Sequence, residues 1–455
     1  MDKSIEEIAR ILGGELISPV PQEMVTGVST DSRKIRGGDL FFALKGPNFD
    51  GHGYAEDACR KGAVGAVISQ PAAGIPGILV EDTLKALQRL AAYHRSQFDV
   101  PVLAVTGSVG KTTTKDLLAA CLEGSLHTLK TSGNFNNEIG LPLTLLQLKP
   151  EHQACVVELA MRGPGQIAEL AEIARPTGSI IVNVAPVHLE TMGNLTNVAQ
   201  AKCEVLEYTK KFAILHYDSS ELRNVARFNG EALWFGTSPE CDWQLLGTGW
   251  DGTGTNYNVR IGDFQGQLYL PVPAPHLGEN LLAAAGTAML MGVDFKDIAL
   301  RLRSFKMSSQ RLQVLKGVNG SIVIDDSYNA NPKSMEGALM MLAEMARGRR
   351  TIAILGDMFE LGPDELDGHC RTGQTAARLG INLLLTVGTR SRYIKEGAKA
   401  AGFKGIARQF ENKETLAEFL EQELSYDDIV LVKASRGMKM ESLVKALTVL
   451  DKEPY

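Results

Sequence analysis

The stretch Thr106-Gly-Ser-Val-Gly-Lys-Thr-Thr-Thr combines the residue types that a polyphosphate needs. Glycines let backbone N–H groups close around the phosphates, Lys111 brings positive charge to the terminal ones, and the Thr112 hydroxyl suits Mg²⁺. Thr106, Gly107, Ser108, Val109, Gly110, Lys111, Thr112 and Thr113 are therefore read as an ATP loop. The general pattern puts its first glycine where Val105 stands, so a tight turn with a chance Gly-Lys-Thr is the alternative. Glu158 lies near the end of Ala154-Cys-Val-Val-Glu-Leu-Ala160, where an unpaired carboxylate is expensive and a Mg²⁺ ligand is useful. His188 follows another apolar run, Ser179 to Ala185, and reads either as a metal or phosphate ligand or as a core or capping histidine. His276 and Asn280 open a segment rich in small residues, as helix caps or as contacts to a purine edge.

Elements must hold these side chains in place. Val102 to Val105 reads as a buried strand and Thr114 to Leu122 as a helix, so the loop between them faces a helix N-terminus, which favours anions. Strand–helix alternation predicts a parallel sheet whose ligand crevice lies at the C-terminal strand ends. The alternation recurs from Ser321, Arg350, Asn382 and Asp428, with helices over Ser334 to Met345, Glu365 to Leu379 and Lys413 to Glu423. In that second sheet Asp326, Asn329, Asn331, Lys433, Ser435 and Arg436 gather on one edge, although each alone could be a solvated loop residue.

Ahead of both lies a small α/β unit that opens with a helix to Leu12, capped by Ser4. Its polar stretches Ser29-Thr-Asp-Ser-Arg33 and Phe49-Asp-Gly-His52 suit a phosphorylated or sugar-nucleotide ligand. They equally suit an Asx turn at Asp31 and Ser32 with Arg33 in solvent. The loop Gly133-Asn-Phe-Asn-Asn either touches substrate or uses asparagine for left-handed backbone. Lys202, within Ala199 to Leu206, would ordinarily be a surface residue of a helix.

The 455 residues carry a net charge of −6, which excludes non-specific nucleic-acid binding as a main role. Six scattered cysteines without a Cys-x-x-Cys motif suit a reducing cytoplasm. The polar, acidic start is no signal peptide, and the longest apolar stretch, Leu281 to Val293, is too short to span a membrane.

Taken together, the phosphate loop, Gly133-Asn-Phe-Asn-Asn, Glu158, Ala185-Pro-Val-His-Leu-Glu, Ala201-Lys-Cys-Glu, and His276 with Asn280 resemble the Mur ligases of bacterial cell-wall synthesis. In that family the missing first glycine is normal. Asp325-Asp-Ser-Tyr-Asn-Ala-Asn-Pro and Lys433-Ala-Ser-Arg-Gly-Met-Lys-Met-Glu look like the branch that adds D-alanyl-D-alanine.

The resemblance implies three α/β domains. Residues 1–97 would bind the UDP-sugar, 98–312 form a P-loop ATPase-like parallel sheet, and 313–455 form a Rossmann-like doubly wound domain for the dipeptide. It implies ATP and Mg²⁺, with UDP-N-acetylmuramoyl-tripeptide and D-alanyl-D-alanine as substrates of a cytoplasmic bacterial enzyme, a monomer without nucleic-acid or membrane partners. Ser29, Asp31, Ser32, Arg33, His52, Asn136 and Asn137 would hold the UDP-sugar end. Thr112 and Glu158 would hold one Mg²⁺, and His188 and a carbamylated Lys202 a second. Asn280, Arg311 and Asp326 would contact ATP, while Asn329, Asn331, Ser435 and Arg436 would face the dipeptide. The rival readings are a sister ligase adding one amino acid, a folylpolyglutamate synthetase-like ligase, and a P-loop regulatory protein that ligates nothing.

Overall fold

The computed structural model describes residues 1–17, 22–71, 74–186 and 189–449. The first helix, Ile5–Leu12, starts where Ser4 and Glu7 exchange side-chain and backbone bonds, a capping box. It packs on a five-stranded sheet in the order Glu15–Ile17, Gly77–Leu79, Gly65–Ile68, Asp39–Phe42, Gly27–Ser29. Only its first pair is antiparallel.

The nine-stranded second sheet is built around Val102–Thr106, which lies between Gly178–Ile181 and Ala154–Glu158. All pairings from Thr128–Lys130 across to Trp243–Trp250 are parallel. Its central strands are buried along their whole length because helices cover both faces. Leu103 and Val105 belong to one core and Val102 and Ala104 to the other, the period-two split of a two-sided sheet. Beyond Trp243–Trp250 the sheet departs from the expected parallel pattern. Thr255–Ile261 and Phe264–Leu270 add an antiparallel extension. Burial alternates along Thr255–Ile261, as it does in a strand with one face packed and the other toward solvent.

The third sheet has the order Gln313–Lys316, Ile322–Asp325, Ile429–Lys433, Thr351–Gly356, Leu383–Val387, Ile406–Phe410. It is parallel apart from its first strand, which the turn at Val318–Gly320 folds back antiparallel. Helices Glu365–Arg378 and Arg392–Ala400 cross closely at two glycines. A Cβ on Gly373 would lie 1.9 Å from the Ile394 carbonyl oxygen, and one on Gly397 2.2 Å from that of Cys370. Among the described residues no helix is long and apolar enough to cross a membrane.

Candidate active site

Parallel register builds the centre of the site. Glu158 pairs in register with Val105 and Ile181 with Thr106, so two strand ends flank the phosphate loop. Val105 is a fully buried ladder residue between those neighbours, a place where the glycine of the general pattern would contribute no packing. The turn begins only at Gly107 and Gly110, both at positive φ (154° and 82°). Helix Lys111–Leu122 follows, and the N–H groups of its first turn are the ordinary anion-binding end.

The loop is held in shape from outside. The Asn183 side chain accepts from the Val109 N–H at 2.9 Å and donates to the Val109 carbonyl at 2.8 Å. The Ser108 hydroxyl bonds the Ala185 carbonyl and accepts from the Ala185 N–H. Asn280 Nδ2 donates to Thr114 Oγ1 at 2.9 Å and would meet a Cβ on Gly110 at 2.3 Å. Lys111 Nζ donates to the carbonyls of Gly107 and Ser108. Burial pulls its ammonium down from the usual lysine range, against the opposing pull of the Glu158 carboxylate.

Glu158 is 1% exposed. Its oxygens accept from the Thr112 hydroxyl at 2.8 Å and the Asn136 amide at 2.7 Å. Among the described residues no cationic side chain bonds it, which leaves a buried carboxylate beside a hydroxyl, a donor set of hard oxygens that fits Mg²⁺. Lys202, on helix Leu195–Glu207, is 2% exposed, and its Nζ has no hydrogen bond among the described residues. Burial, with Lys111 nearby, drives its ammonium far below the usual lysine range. His188 lies outside the described residues.

A cavity of about 400 Å³ joins the phosphate loop and Glu158 to His276, Asn280, Arg311 and Asp326. The third domain supplies its far wall through Tyr328, Asn329, Asn331 and Lys433. Lys433 Nζ donates to Asp326 Oδ2 at 2.5 Å and to the Asn329 carbonyl at 2.8 Å, which fixes that loop. Burial raises the Asp326 carboxyl, opposed by Lys433. Arg311 stacks over the Tyr328 ring at 4.0 Å. His276 packs against Gly337 across the domain seam, and its Nδ1 is buried with no hydrogen-bond partner among the described residues. Burial, aided by Lys433, lowers this imidazole to about 4.

The remaining candidates are placed differently. Asp31, Ser32 and Arg33 line a separate first-domain cavity with Phe49 and Tyr54. The Arg33 N–H and guanidinium both bond Asp31, so the Asx turn is present, with the Arg33 side chain 83% exposed. Arg33 draws the Asp31 carboxyl down to about 2. Ser29 bonds the backbone of Asp31. His52 is held between Asp50 and the Ser69 N–H, and Asn137 accepts from Gly140 N–H at the start of helix Gly140–Leu145. The Asn331 side chain caps helix Pro332–Ala346. Ser435 is buried and accepts from the Phe359 N–H, while Arg436 pairs with Glu441 and Gln310. Neither of the last two lines the ATP cavity.

Sequence reasoning passed over Asn183. Its signal was a lone amide ending the apolar run before Ala185, but its partner Val109 is 74 residues away.

The model of the Mur ligase family catalytic domain matches residues 24–95, that of the Mur ligase middle domain 105–288, and that of the Mur ligase glutamate ligase domain 310–436. The chain is 33% identical to the UDP-N-acetylmuramoyl-tripeptide–D-alanyl-D-alanine ligase of Bacillus subtilis, over 98% of both chains. It is 34% identical to the Escherichia coli protein of the same name, again over 98% of both. Its structure superposes on a crystal structure of MurF from Acinetobacter baumannii with a TM-score of 0.88, at 29% identity over 98% of each chain. For MurF from Thermotoga maritima in complex with ADP the TM-score is 0.81, at 28% identity over 93% of this chain and 97% of that one.

Proposed function

The chain belongs to the Mur ligase family, and from that premise we propose that it joins D-alanyl-D-alanine to UDP-N-acetylmuramoyl-tripeptide with ATP as the energy source. The relatives matched end to end carry that activity in their names. The observation that carries the reading in this chain is the cavity where the phosphate loop and buried Glu158 face the Asp326–Asn331 segment of the third domain. A regulatory P-loop protein has no use for that third wall.

The chemistry is acyl transfer through phosphate. A carboxylate oxygen of the tripeptide attacks the γ-phosphorus of ATP, ADP leaves, and an acyl phosphate forms. The dipeptide amine then attacks the acyl carbon, its proton is lost, and phosphate departs with the bridging oxygen. No protein nucleophile is needed. Lys111 and the first-turn N–H groups bind the phosphates and spread the charge that develops there. Asn183 and Asn280 keep the loop in its binding shape. Asn280, Arg311 and Asp326 line the same cavity as the phosphate loop, which supports the ATP contacts expected of them, and His276, whose Nδ1 has no partner among the described residues, suits the adenine edge.

Thr112 and Glu158 would hold one Mg²⁺, and His188 with Lys202 a second, for which a carbamate on Lys202 replaces a repelling ammonium by anionic oxygens. When bound, the metal neutralises phosphate charge. The burial of Lys202 and its lack of a hydrogen-bond partner among the described residues support that modification, because CO₂ reacts with the neutral amine. The first-domain cavity beside Asp31, Ser32 and Arg33 is the site for the UDP end, its rim formed by exposed Phe49 and Tyr54. Six free cysteines are in keeping with a cytoplasmic setting.

Phosphate release with ATP, Mg²⁺ and the UDP-muramoyl tripeptide, with and without D-alanyl-D-alanine, tests this. Release that needs both, with a UDP-muramoyl pentapeptide found by mass, is the expected result. A single amino acid replacing the dipeptide would shift the assignment to a sister ligase. No release with any acceptor would restore the regulatory reading.

A further inference from the structure

The chain passes from the central domain to the third over residues 303–312, between helix Phe295–Leu302 and strand Gln313–Lys316. Met307, within this crossing, packs against the cores of both domains. Gln310 and Leu312 hold left-handed backbone there, at φ 63° and 51°. Neither is glycine, and other residues keep that conformation only where their surroundings impose it. The third domain supplies part of the constraint. The Tyr328 N–H donates to the Gln310 carbonyl, and Asp326 Oδ1 accepts from the Leu312 N–H. Between the two left-handed residues stands Arg311, stacked on Tyr328 at the wall of the ATP cavity.

The central domain holds the same crossing through Ser308. Its hydroxyl donates to Asp116 Oδ2, and its carbonyl accepts from the Arg311 N–H at 3.1 Å, closing the turn that carries Arg311. Asp116 stands on helix Lys111–Leu122, which follows the phosphate loop, and its side chain is only 10% exposed. Lys115 and Lys130 each approach its other oxygen at 3.2 Å, which keeps the buried carboxylate anionic and a strong acceptor. Lys115 is fixed in turn on the Thr131 carbonyl, and the Thr131 hydroxyl accepts from the Glu158 N–H. Neither Asp116 nor Ser308 lines the ATP cavity, and the ligation chemistry uses neither directly.

We propose that Asp116 and Ser308 are positioning residues, their bond anchoring the domain crossing to the phosphate-loop helix and so setting Arg311 against the nucleotide. The inference rests on the ligase reading, in which ATP fills that cavity. A cation held on an anchored turn has little freedom left to lose when the phosphates arrive, whereas one on a slack linker must be ordered at each turnover. Because the turn is tied to both domains, the same bond makes the placement of Arg311 depend on how the third domain sits.

The test uses the full-length enzyme with Ser308→Ala, Ser308→Thr, Asp116→Asn, Arg311→Ala and the S308A/R311A double variant. ATP KM in ligation and affinity for a non-hydrolysable ATP analogue are measured for each. S308A raises the ATP KM about five- to tenfold, as expected for one lost hydrogen bond acting on a charged contact, and D116N moves it in the same direction. S308T, which keeps the hydroxyl, restores most of the affinity, and the KM values for the UDP-tripeptide and the dipeptide stay within about twofold. In the double variant the S308A effect disappears, because both changes act through one guanidinium. Effects of S308A and R311A that multiply, or an ATP KM unchanged in both S308A and D116N, would overturn the proposal and leave the ligase standing. If the unaltered enzyme ligated no acceptor, the ligase reading would fall, and the analogue titrations would still decide whether Ser308 acts through Arg311.

Discussion

Replacing Glu158 by glutamine keeps its shape and its bond to Thr112 but removes the charge that a divalent cation needs. E158Q should therefore lose about a hundredfold or more in ligation rate, with a thermal midpoint at or above that of the unaltered protein, because a buried carboxylate without a cationic partner is a burden to the fold. Rates and melting curves measured side by side check both halves. A variant that ligates normally would remove Glu158 from the metal site. At this scale the sequence is most readable where a motif is local. The phosphate loop spans adjacent residues, and a carboxylate inside an apolar run stands out from its neighbours. Asn136, by contrast, meets Glu158 only through folding. The resemblance implies a place for it at the UDP end, and the fold also sets its amide to donate to the Glu158 carboxylate.

Among elements, the phosphate loop depends on the end of the neighbouring strand Gly178–Ile181 for its shape. Asn183, two residues beyond it, supplies both a donor and an acceptor to Val109. Asn183→Ala should raise the KM for ATP about tenfold through loosening of the loop, at a stability cost of about 1–3 kcal/mol for two lost hydrogen bonds. Nucleotide titration and chemical denaturation measure the two effects. An unchanged KM would show that the loop holds itself. Strand–helix alternation made both parallel sheets legible, and the helices fall close to their expected spans, as at Lys413–Glu423. The antiparallel extension was less so, because Gly and Thr in residues 247–268 mask the alternation that marks a half-buried strand.

At the scale of the whole molecule, the site exists only where the central and third domains meet, and His276 marks that seam. Its imidazole is held near 4, below the ordinary value of 6.5, so the folded protein keeps it neutral where the unfolded chain would protonate it. Between those values the unfolded state binds more protons, so stability rises with pH. The contribution is complete above about 6.5 and is lost as pH falls toward 4. His276→Gln should therefore flatten the fall in thermal midpoint across that window, and an equal fall in both proteins would place the acid-sensitive group elsewhere. No local motif announces the shift, since it comes first from burial, His276 packing against Gly337 of helix Pro332–Ala346, and then from Lys433, all distant in the chain.

The most direct test of the account follows the oxygen. With both carboxylate oxygens at the tripeptide's reacting end replaced by the heavy isotope, each turnover should deliver one labelled oxygen to inorganic phosphate and leave one in the new amide. Mass spectrometry of the phosphate reads this. Label in phosphate at one atom per pentapeptide formed is the predicted result, as an acyl phosphate opened by the dipeptide amine requires. Unlabelled phosphate alongside full ligation would contradict the account, because the carboxylate would then never have attacked ATP.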